Sequence, residues 1–281
     1  MKIMKDSLMI NYQLKNSANG VQSKYYNEYD NYWYKEDYLG TEGLSEYVST
    51  LLLQGSGISH AKYTPCQFKN GLKTVIGCKS INFLSKEEDL VSAYELIMNY
   101  KQIDITKAII GMTVSEKIIF FVSMIENITG IENYGAHLTN ILQLDAVTKN
   151  EDRHFNNISF VEKSDGSFQP APIFDNGAAF LSDKYSYGEN LSCNELFDKM
   201  TEVQSKPFSM DFDEQLDACE QLYPSKILLN KNIQLDKDML SHFYSNEDIL
   251  KIEILLRESQ RKYGDIYFNN KNNELELKED I

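Results

Sequence analysis

One segment of the sequence is the most informative about the chain: Asp145-Ala-Val-Thr-Lys-Asn-Glu-Asp-Arg-His-Phe-Asn-Asn-Ile-Ser-Phe160. Within it, the motif Asp-Arg-His-x-x-Asn begins at Asp152 and ends at Asn157, so that a carboxylate precedes an amide by five residues. An apolar run and a short hairpin pattern follow, and then Pro172-Ile-Phe-Asp-Asn-Gly177 places a second carboxylate, Asp175, at the end of another apolar run.

This set of side chains is the one that phosphoryl transfer from ATP requires. One Asp orients the acceptor hydroxyl and takes its proton, an Asn holds magnesium, and an Asp on a later strand bridges metal and phosphates. Asp152 is therefore the candidate base, and Asn157 and Asp175 are the candidate Mg²⁺ ligands. A single loop Asp is usually a turn or cap residue. Phosphoryl transfer is therefore indicated by the order and separation of the two motifs together, and not by either Asp alone.

The two motifs resemble the catalytic segment of the HipA-like and CtkA-like bacterial Ser/Thr kinases. A more distant resemblance is to the Asp-Arg-His-x-x-Asn loop of phosphoinositide 3- and 4-kinases. Ordinary eukaryotic protein kinases place His-Arg before the Asp and use Asp-Phe-Gly later; this chain has Asp152-Arg153-His154 and Asp175-Asn176-Gly177. Longer HipA proteins carry an additional N-terminal subdomain, so the CtkA-like group is the better match for 281 residues.

The resemblance implies an α+β, two-lobed protein-kinase-like fold. A small β-rich N-lobe with one long helix is expected over residues 1–80, and a larger, mainly helical C-lobe over 81–268. The polar, charged tail 269–281 is expected to be disordered. The implied activity is transfer of the γ-phosphoryl group of ATP, with Mg²⁺, to a Ser or Thr hydroxyl, including autophosphorylation. A toxin-type effector with a cognate inhibitor or antitoxin is the further role that this family suggests.

The N-lobe pattern supplies a lysine and a glutamate in the order that kinases use. Aromatic runs on either side of Asp30-Asn31 predict a hairpin with Lys35 on its second strand, and Asn70-Gly71 predicts a second hairpin. Thr41 is predicted to cap an amphipathic helix over 42–53, which carries Glu46 away from its apolar stripe. In kinases such a Glu steadies the Lys that holds the ATP phosphates. Lys35 is expected to be an exposed strand residue; Lys24 and Glu42 remain the alternatives for the two roles.

Two further ATP contacts are predicted from position. A small polar loop before the hairpin can present backbone N–H groups to phosphates; its residues are Ser17, Asn19 and Gly20. An ordinary hairpin loop is the alternative interpretation. By resemblance, the inter-lobe hinge that receives adenine falls at 77–80, which makes Cys78, Lys79 and Ser80 the contacts. A capping box at Ser85 and Glu88 predicts a helix immediately after the hinge, and a second box at Thr113 and Glu116 predicts another helix start.

The remaining polar residues of the central segment are expected to support the loop. Asp145 lies on an apolar helix face and is predicted to be a buried acceptor. Arg153 is expected to pair with a structural carboxylate, although a phosphorylated residue is an alternative partner. His154 is expected to stack or hydrogen-bond beneath the loop. A carboxylate–histidine metal site from Asp152, His154 and Asp175 would need more ligands, and the other three of the four histidines are distant in sequence.

Composition excludes other classes of protein. The net charge of −14 argues against a nucleic-acid-binding surface. The four cysteines lack metal-ligand spacing and are expected to be free thiols. No signal peptide and no membrane span is predicted, so a cytoplasmic protein is expected, with delivery into a host or target cell left open. Two other classes also stay open: a lipid or small-molecule kinase, and a catalytically idle ATP-binding module that acts through a protein partner.

Overall fold

The computed structural model describes residues 24–269. Within this range, four antiparallel strands form the first sheet, in the order β1-β2-β4-β3. Their bounds are Lys24–Asn27 (β1), Tyr32–Glu36 (β2), Tyr63–Asn70 (β3) and Lys73–Ile81 (β4). The predicted hairpins are confirmed. Asn31 and Gly71 adopt the left-handed backbone that tight turns require, with φ of 59° and 60°. Lys35 is paired with Lys24 on one side and with Cys78 on the other.

Helix α1, Glu42–Leu53, packs against β3 and β4 and matches the predicted bounds. Its cap differs from the prediction. The Thr41 side chain makes no capping hydrogen bond; instead, Asp37 Oδ1 accepts the N–H of Gly43 at 2.6 Å. The Glu42 carboxylate turns back to accept the N–H groups of residues 38–40. Carboxylates at this end of a helix are favoured because its N–H groups lack partners within the helix.

The rest of the described chain is mainly helical and contains two small sheets. One sheet is antiparallel, in the order β5-β6-β7: Asp89–Ser92 (β5), Ser159–Glu162 (β6) and Phe168–Pro170 (β7). The other is the parallel pair Leu229–Asn230 (β8) and Phe268–Asn269 (β9). The helices are Ala93–Lys101 (α2), Ile105–Ala108 (α3), Val114–Thr129 (α4), Tyr134–Thr148 (α5), Lys184–Tyr187 (α6), Cys193–Glu202 (α7), Phe212–Leu222 (α8), Lys237–Leu240 (α9) and Asn246–Tyr267 (α10). Asn269 thus ends β9, and the rest of the expected disordered tail lies outside the described residues.

The connection between the first sheet and the helical part differs from the prediction. Residues 82–88 join β4 to β5, and Ser85 and Glu88 form a turn there rather than a helix start. The next helix, α2, begins after Ser92, whose side chain forms a capping box with Glu95. The helix begins at Ser92 and not at Ser85 because the intervening residues 89–92 pair with β6 and form a strand. The Thr113–Glu116 capping box at the start of α4 is confirmed.

A single large apolar core extends across both parts of the molecule. It includes Leu44, Val48 and Leu52 of α1 together with Phe121 of α4 and Leu142 of α5. The helix that carries Glu46 is therefore anchored to the helical part and not only to its own sheet. The lobe boundary near residue 80 stays a prediction. Among the described residues, no helix combines the length and apolar character that a membrane crossing needs.

Candidate active site

Lys35 and Glu46 form a buried ion pair between β2 and α1. Lys35 Nζ lies 2.5 Å from Glu46 Oε1, and the two residues are 4% and 0% exposed. The expectation of an exposed Lys35 is therefore wrong, because α1 covers this face of the sheet. Glu42 has turned back to residues 38–40, so it does not take the place of Glu46. The Lys35 ammonium also lies over the ring of Tyr63, 4.8 Å from its centroid.

The same ammonium reaches the second carboxylate of the sequence motifs. Lys35 Nζ is 2.7 Å from Asp175 Oδ1, and Lys24 Nζ is 3.0 Å from Asp175 Oδ2. Burial alone would raise the pKa of Asp175, but the ion pairs with Lys24 and Lys35 outweigh it and hold that pKa well below its usual range. For Lys35, burial alone would lower the pKa, and Asp175 and Glu46 instead raise it well above its usual value. Asp175 and Lys35 are therefore both ionised at neutral pH.

Backbone contacts hold Asp175 in this position. Two residues earlier, Ile173 exchanges backbone hydrogen bonds with the segment 59–61, at 2.8 and 2.9 Å. Asp175 itself has φ of 62°, a left-handed conformation that non-glycine residues rarely adopt. One residue later, the N–H of Asn176 donates to Glu46 Oε2 at 3.0 Å. Strained backbone of this kind persists where the surroundings enforce it and is concentrated at functional sites.

Arg153 ties the Asp-Arg-His loop to the Asp175 segment. Its guanidinium is 1% exposed and forms a fork on the buried carboxylate of Asp145, at 2.9 and 3.0 Å. The remaining N–H groups donate to the carbonyls of Asn157 and Phe174 at 3.0 Å and to Asn176 Oδ1 at 2.6 Å. Asp145 belongs to helix α5, whereas Asn157 belongs to the loop and Phe174 and Asn176 belong to the Asp175 segment. A guanidinium so occupied supports the backbone and is closed to a phosphorylated residue.

The Asp152 carboxylate faces solvent, unlike the carboxylates of Glu46 and Asp145, which are buried. Its side chain is 45% exposed, and Oδ1 lies 3.0 Å from the ammonium of Lys206. His154 Nε2 lies 3.6 Å from Asp152 Oδ2, while its Nδ1 is buried and no described residue bonds to it. Within residues 24–269, no three His, Cys, Asp or Glu side chains form a metal-binding group. Asp152 is thus placed where an incoming hydroxyl can reach it.

Asn157 and Asp175 offer oxygen atoms that suit a magnesium ion. The amide nitrogen of Asn157 donates to the carbonyl of Asp152 at 2.9 Å. This bond fixes the amide and turns its oxygen, the atom a hard cation needs, away from that carbonyl. Asp175 is ionised, as its lowered pKa shows. A carboxylate and an amide oxygen, completed by phosphates and water, are the ligands that Mg²⁺ accepts, so the residues present fit this cofactor.

The structure places the other predicted contacts differently. The residues expected at the hinge lie inside β4, which is flanked by β2 and β3. Because both neighbours use the backbone groups of Cys78, Lys79 and Ser80, this segment is not a hinge open to adenine, and 82–88 makes the connection. Cys78 is buried, and Lys79 covers the ring of Tyr32. The predicted phosphate loop with Ser17, Asn19 and Gly20 lies outside the described residues.

The sequence did not predict the contacts that Lys24 and Lys206 make with the candidate site. Lys24 was considered only as an alternative to Lys35, whereas the structure brings both onto Asp175. The alternation of the hairpin could have shown this, since Lys24 and Lys35 are cross-strand partners on one face. Lys206 lies 54 residues from Asp152 in a segment without a motif, and only the tertiary fold reveals its contact.

Comparison with known proteins identifies the fold. No protein-family model matches the chain, and no curated protein sequence matches it significantly. Among solved structures, the proinflammatory kinase CtkA of Helicobacter pylori matches with a TM-score of 0.60 and 17% identity, over 94% of this chain and 95% of that one. A chain of the Shewanella oneidensis MR-1 complex of HipA, HipB and operator DNA matches with a TM-score of 0.40 and 14% identity, over 88% and 65%. The chain therefore has the α+β fold of the CtkA kinase along nearly its whole length, as the sequence motifs predicted.

Proposed function

We propose that this protein is an ATP- and magnesium-dependent kinase that phosphorylates Ser or Thr hydroxyls of proteins. The observation that carries the proposal is the position of Lys35 Nζ, in contact with both Glu46 and Asp175. A kinase needs a lysine steadied by a glutamate beside the carboxylate that holds the metal. The fold shared with CtkA makes this geometry the expected one for a phosphoryl-transfer site.

The energetics also favour a functional role for this cluster. Burying an ion pair carries a large desolvation penalty, and apolar replacements of similar size are often as stable or more so. Lys35, Glu46 and Asp175 are nevertheless buried or nearly so, beside backbone that is strained at Asp175. Ionisable groups with strongly shifted pKa values are concentrated at active sites. A purely structural role would not require this arrangement.

Each side chain has a distinct task in the proposed reaction. Lys35 holds the α- and β-phosphates, and Glu46 fixes the direction of the Lys35 ammonium. Asn157 and Asp175 hold magnesium, which when bound neutralises charge on the phosphates. Asp152 accepts the proton of the acceptor hydroxyl, while Arg153 keeps the loop of Asp152 aligned with the Asp175 segment.

The acceptor is proposed to be a protein because Asp152 lies at the surface. With 45% of its side chain exposed, a hydroxyl on a loop of another protein, or on a mobile part of the same chain, has access to it. We also propose Ser17 and Ser23, which flank the predicted phosphate loop, as sites of self-modification; both residues precede the described range. An inhibitory partner of the antitoxin type is proposed on the sequence resemblance alone.

The test is the intact mass of the protein after incubation with Mg-ATP, together with calorimetry of ATP binding. We expect a gain of phosphate in the wild type. Asp152→Asn should bind Mg-ATP as well as the wild type and lose transfer by about 10²- to 10⁴-fold, the usual contribution of a general base. Asp175→Asn should lose both, because a neutral amide is a poorer magnesium ligand. Wild-type transfer by Asp152→Asn would overturn the assignment of the base, and Mg-ATP binding without any transfer would favour an idle ATP-binding module.

A further inference from the structure

Lys24 and Lys35 hold the two oxygens of one carboxylate. They are cross-strand partners on β1 and β2, and their ammonium groups lie 3.0 and 2.7 Å from Asp175 Oδ2 and Oδ1. The Lys24 side chain is 22% exposed, compared with 5% for that of Lys35. Lys24 thus reaches from the open side of the cluster to the carboxylate that the proposed function assigns to magnesium.

The two lysines are held differently. Lys35 is fixed by Glu46 as well as by Asp175. Lys24 makes its ion pair with Asp175 alone among residues 24–269. A lysine side chain is a flexible stem that carries a compact charge. The Lys24 ammonium can therefore leave Asp175 while its strand stays in place, whereas Lys35 cannot move without uncovering Glu46.

Because of the charges in the cluster, the mobility of the Lys24 ammonium affects which cations can bind. The ammonium groups of Lys24 and Lys35 balance the carboxylates of Glu46 and Asp175, so the cluster is neutral. A divalent cation arriving alone would add two positive charges beside two ammonium groups in a partly buried site, where such repulsion is poorly screened. A cation arriving with ATP brings phosphates whose negative charge exceeds its own, and these give Lys24 a new partner.

We propose that Lys24 is a resident counter-ion of Asp175 that excludes free divalent cations and then moves to the phosphates when Mg-ATP binds. The inference rests on the proposed function and deepens it. It predicts that metal and nucleotide enter the site together. It also makes both Lys24 and Lys35 ligands of the phosphates, whereas the sequence presented them as alternatives for one phosphate-binding role.

The test compares wild type with Lys24→Met, which keeps a long side chain without its charge, and with Lys24→Arg, which keeps the charge. Lys69→Met is the matched control, because Lys69 is an exposed residue of β3 in the same sheet. Binding of Mn²⁺ alone is measured by electron paramagnetic resonance, and binding of Mg-ATP by calorimetry. Circular dichroism verifies that each variant is folded.

We expect Lys24→Met to bind free Mn²⁺ about tenfold more tightly than wild type and Mg-ATP about tenfold more weakly. Lys24→Arg and Lys69→Met should resemble wild type in both titrations. Equal Mn²⁺ affinity in wild type and Lys24→Met would overturn the counter-ion role, and equal Mg-ATP affinity would overturn the phosphate role. Failure of the proposed function gives a different result: wild type and Lys69→Met would both fail to bind Mg-ATP, while the Mn²⁺ titration would still decide whether Lys24 guards Asp175.

Discussion

The carboxylate of Glu46 accepts the backbone N–H of Asn176 at 3.0 Å, although the two residues are 130 positions apart in the chain. Its other oxygen holds Lys35. Glu46 therefore joins the helix α1, the strand β2 and the Asp175 segment through one buried side chain. The position of the candidate phosphate lysine is set by the same group that fixes the candidate metal segment.

Removal of the Glu46 charge should misplace Lys35. In Glu46→Gln, Lys35 is left with Asp175 as its remaining carboxylate within hydrogen-bonding distance, which competes with the metal for that group. We expect phosphoryl transfer to fall by at least about tenfold, measured as the rate of phosphate incorporation at saturating Mg-ATP. Glu42→Gln is the matched comparison: it should lower the melting temperature, because Glu42 holds residues 38–40, but leave the rate unchanged. A lower rate in Glu42→Gln alone would reverse the two assignments.

Arg153→Met should destabilise the protein strongly. The substitution leaves Asp145 buried without its charged partner and removes donors to Asn157, Phe174 and Asn176. Breaking a buried ion pair from one side costs about 3–5 kcal/mol, which urea unfolding can measure. Arg261→Met is the control. Its ion pair with Glu258 is within α10 and its side chain is 74% exposed, so a loss below about 1 kcal/mol is expected. Similar losses in both variants would contradict the role of Arg153 as the support of the loop.

Lys206→Ala should lower the rate of transfer with little effect on stability. The ion pair with Asp152 is half exposed, and such pairs contribute at most about 1 kcal/mol to folding. Its loss leaves the orientation of the Asp152 carboxylate unconstrained, for which we expect a rate reduction of about tenfold at unchanged ATP affinity. Lys206→Arg should restore much of the rate. The control is Lys199→Ala, which removes an ion pair with Glu202 on α7. An unchanged rate in Lys206→Ala would show that the contact is incidental.

The stability of the protein should decrease as the pH rises towards 7, because of Asp37. Burial raises the pKa of Asp37 to about 7, and the nearby Glu42 adds to this effect. A carboxyl that binds its proton more tightly when folded stabilises the protein at low pH, and this contribution is lost as the pH rises through about 7. Asp37→Asn should therefore be more stable than wild type at pH 8 by about 1–3 kcal/mol, with the difference shrinking towards pH 5. Asp198→Asn, at an exposed position on α7, is the control, and parallel pH profiles for wild type and Asp37→Asn would disprove the assignment.

Local patterns determined much of the fold. The hairpin turns at Asn31 and Gly71 are set by residues that tolerate a positive φ, and the apolar stripe between 42 and 53 defines α1. The motifs around Asp152 and Asp175 carry the resemblance that predicted the fold, because each motif is a short-range arrangement of residue types in a fixed order. The helix that was wrongly predicted to start at Ser85 shows the limit of local sequence patterns. A capping box is a local signal, and pairing of 89–92 with β6, some seventy residues later, overrode it.

Only the tertiary structure decided the electrostatics of the site. The sequence showed Lys35, Glu46 and Asp175 as separate charged residues, and it predicted an exposed Lys35. Packing of α1 on the sheet buried Lys35 and Glu46, and the contacts of Ile173 with 59–61 brought Asp175 to them. Burial and pairing of this kind depend on which segments meet across more than a hundred residues, which no local pattern encodes. The sequence by itself therefore determined which residues are candidates for the proposed chemistry, whereas the tertiary structure decided which charges meet, since Coulomb interactions depend on distance and on exclusion of water.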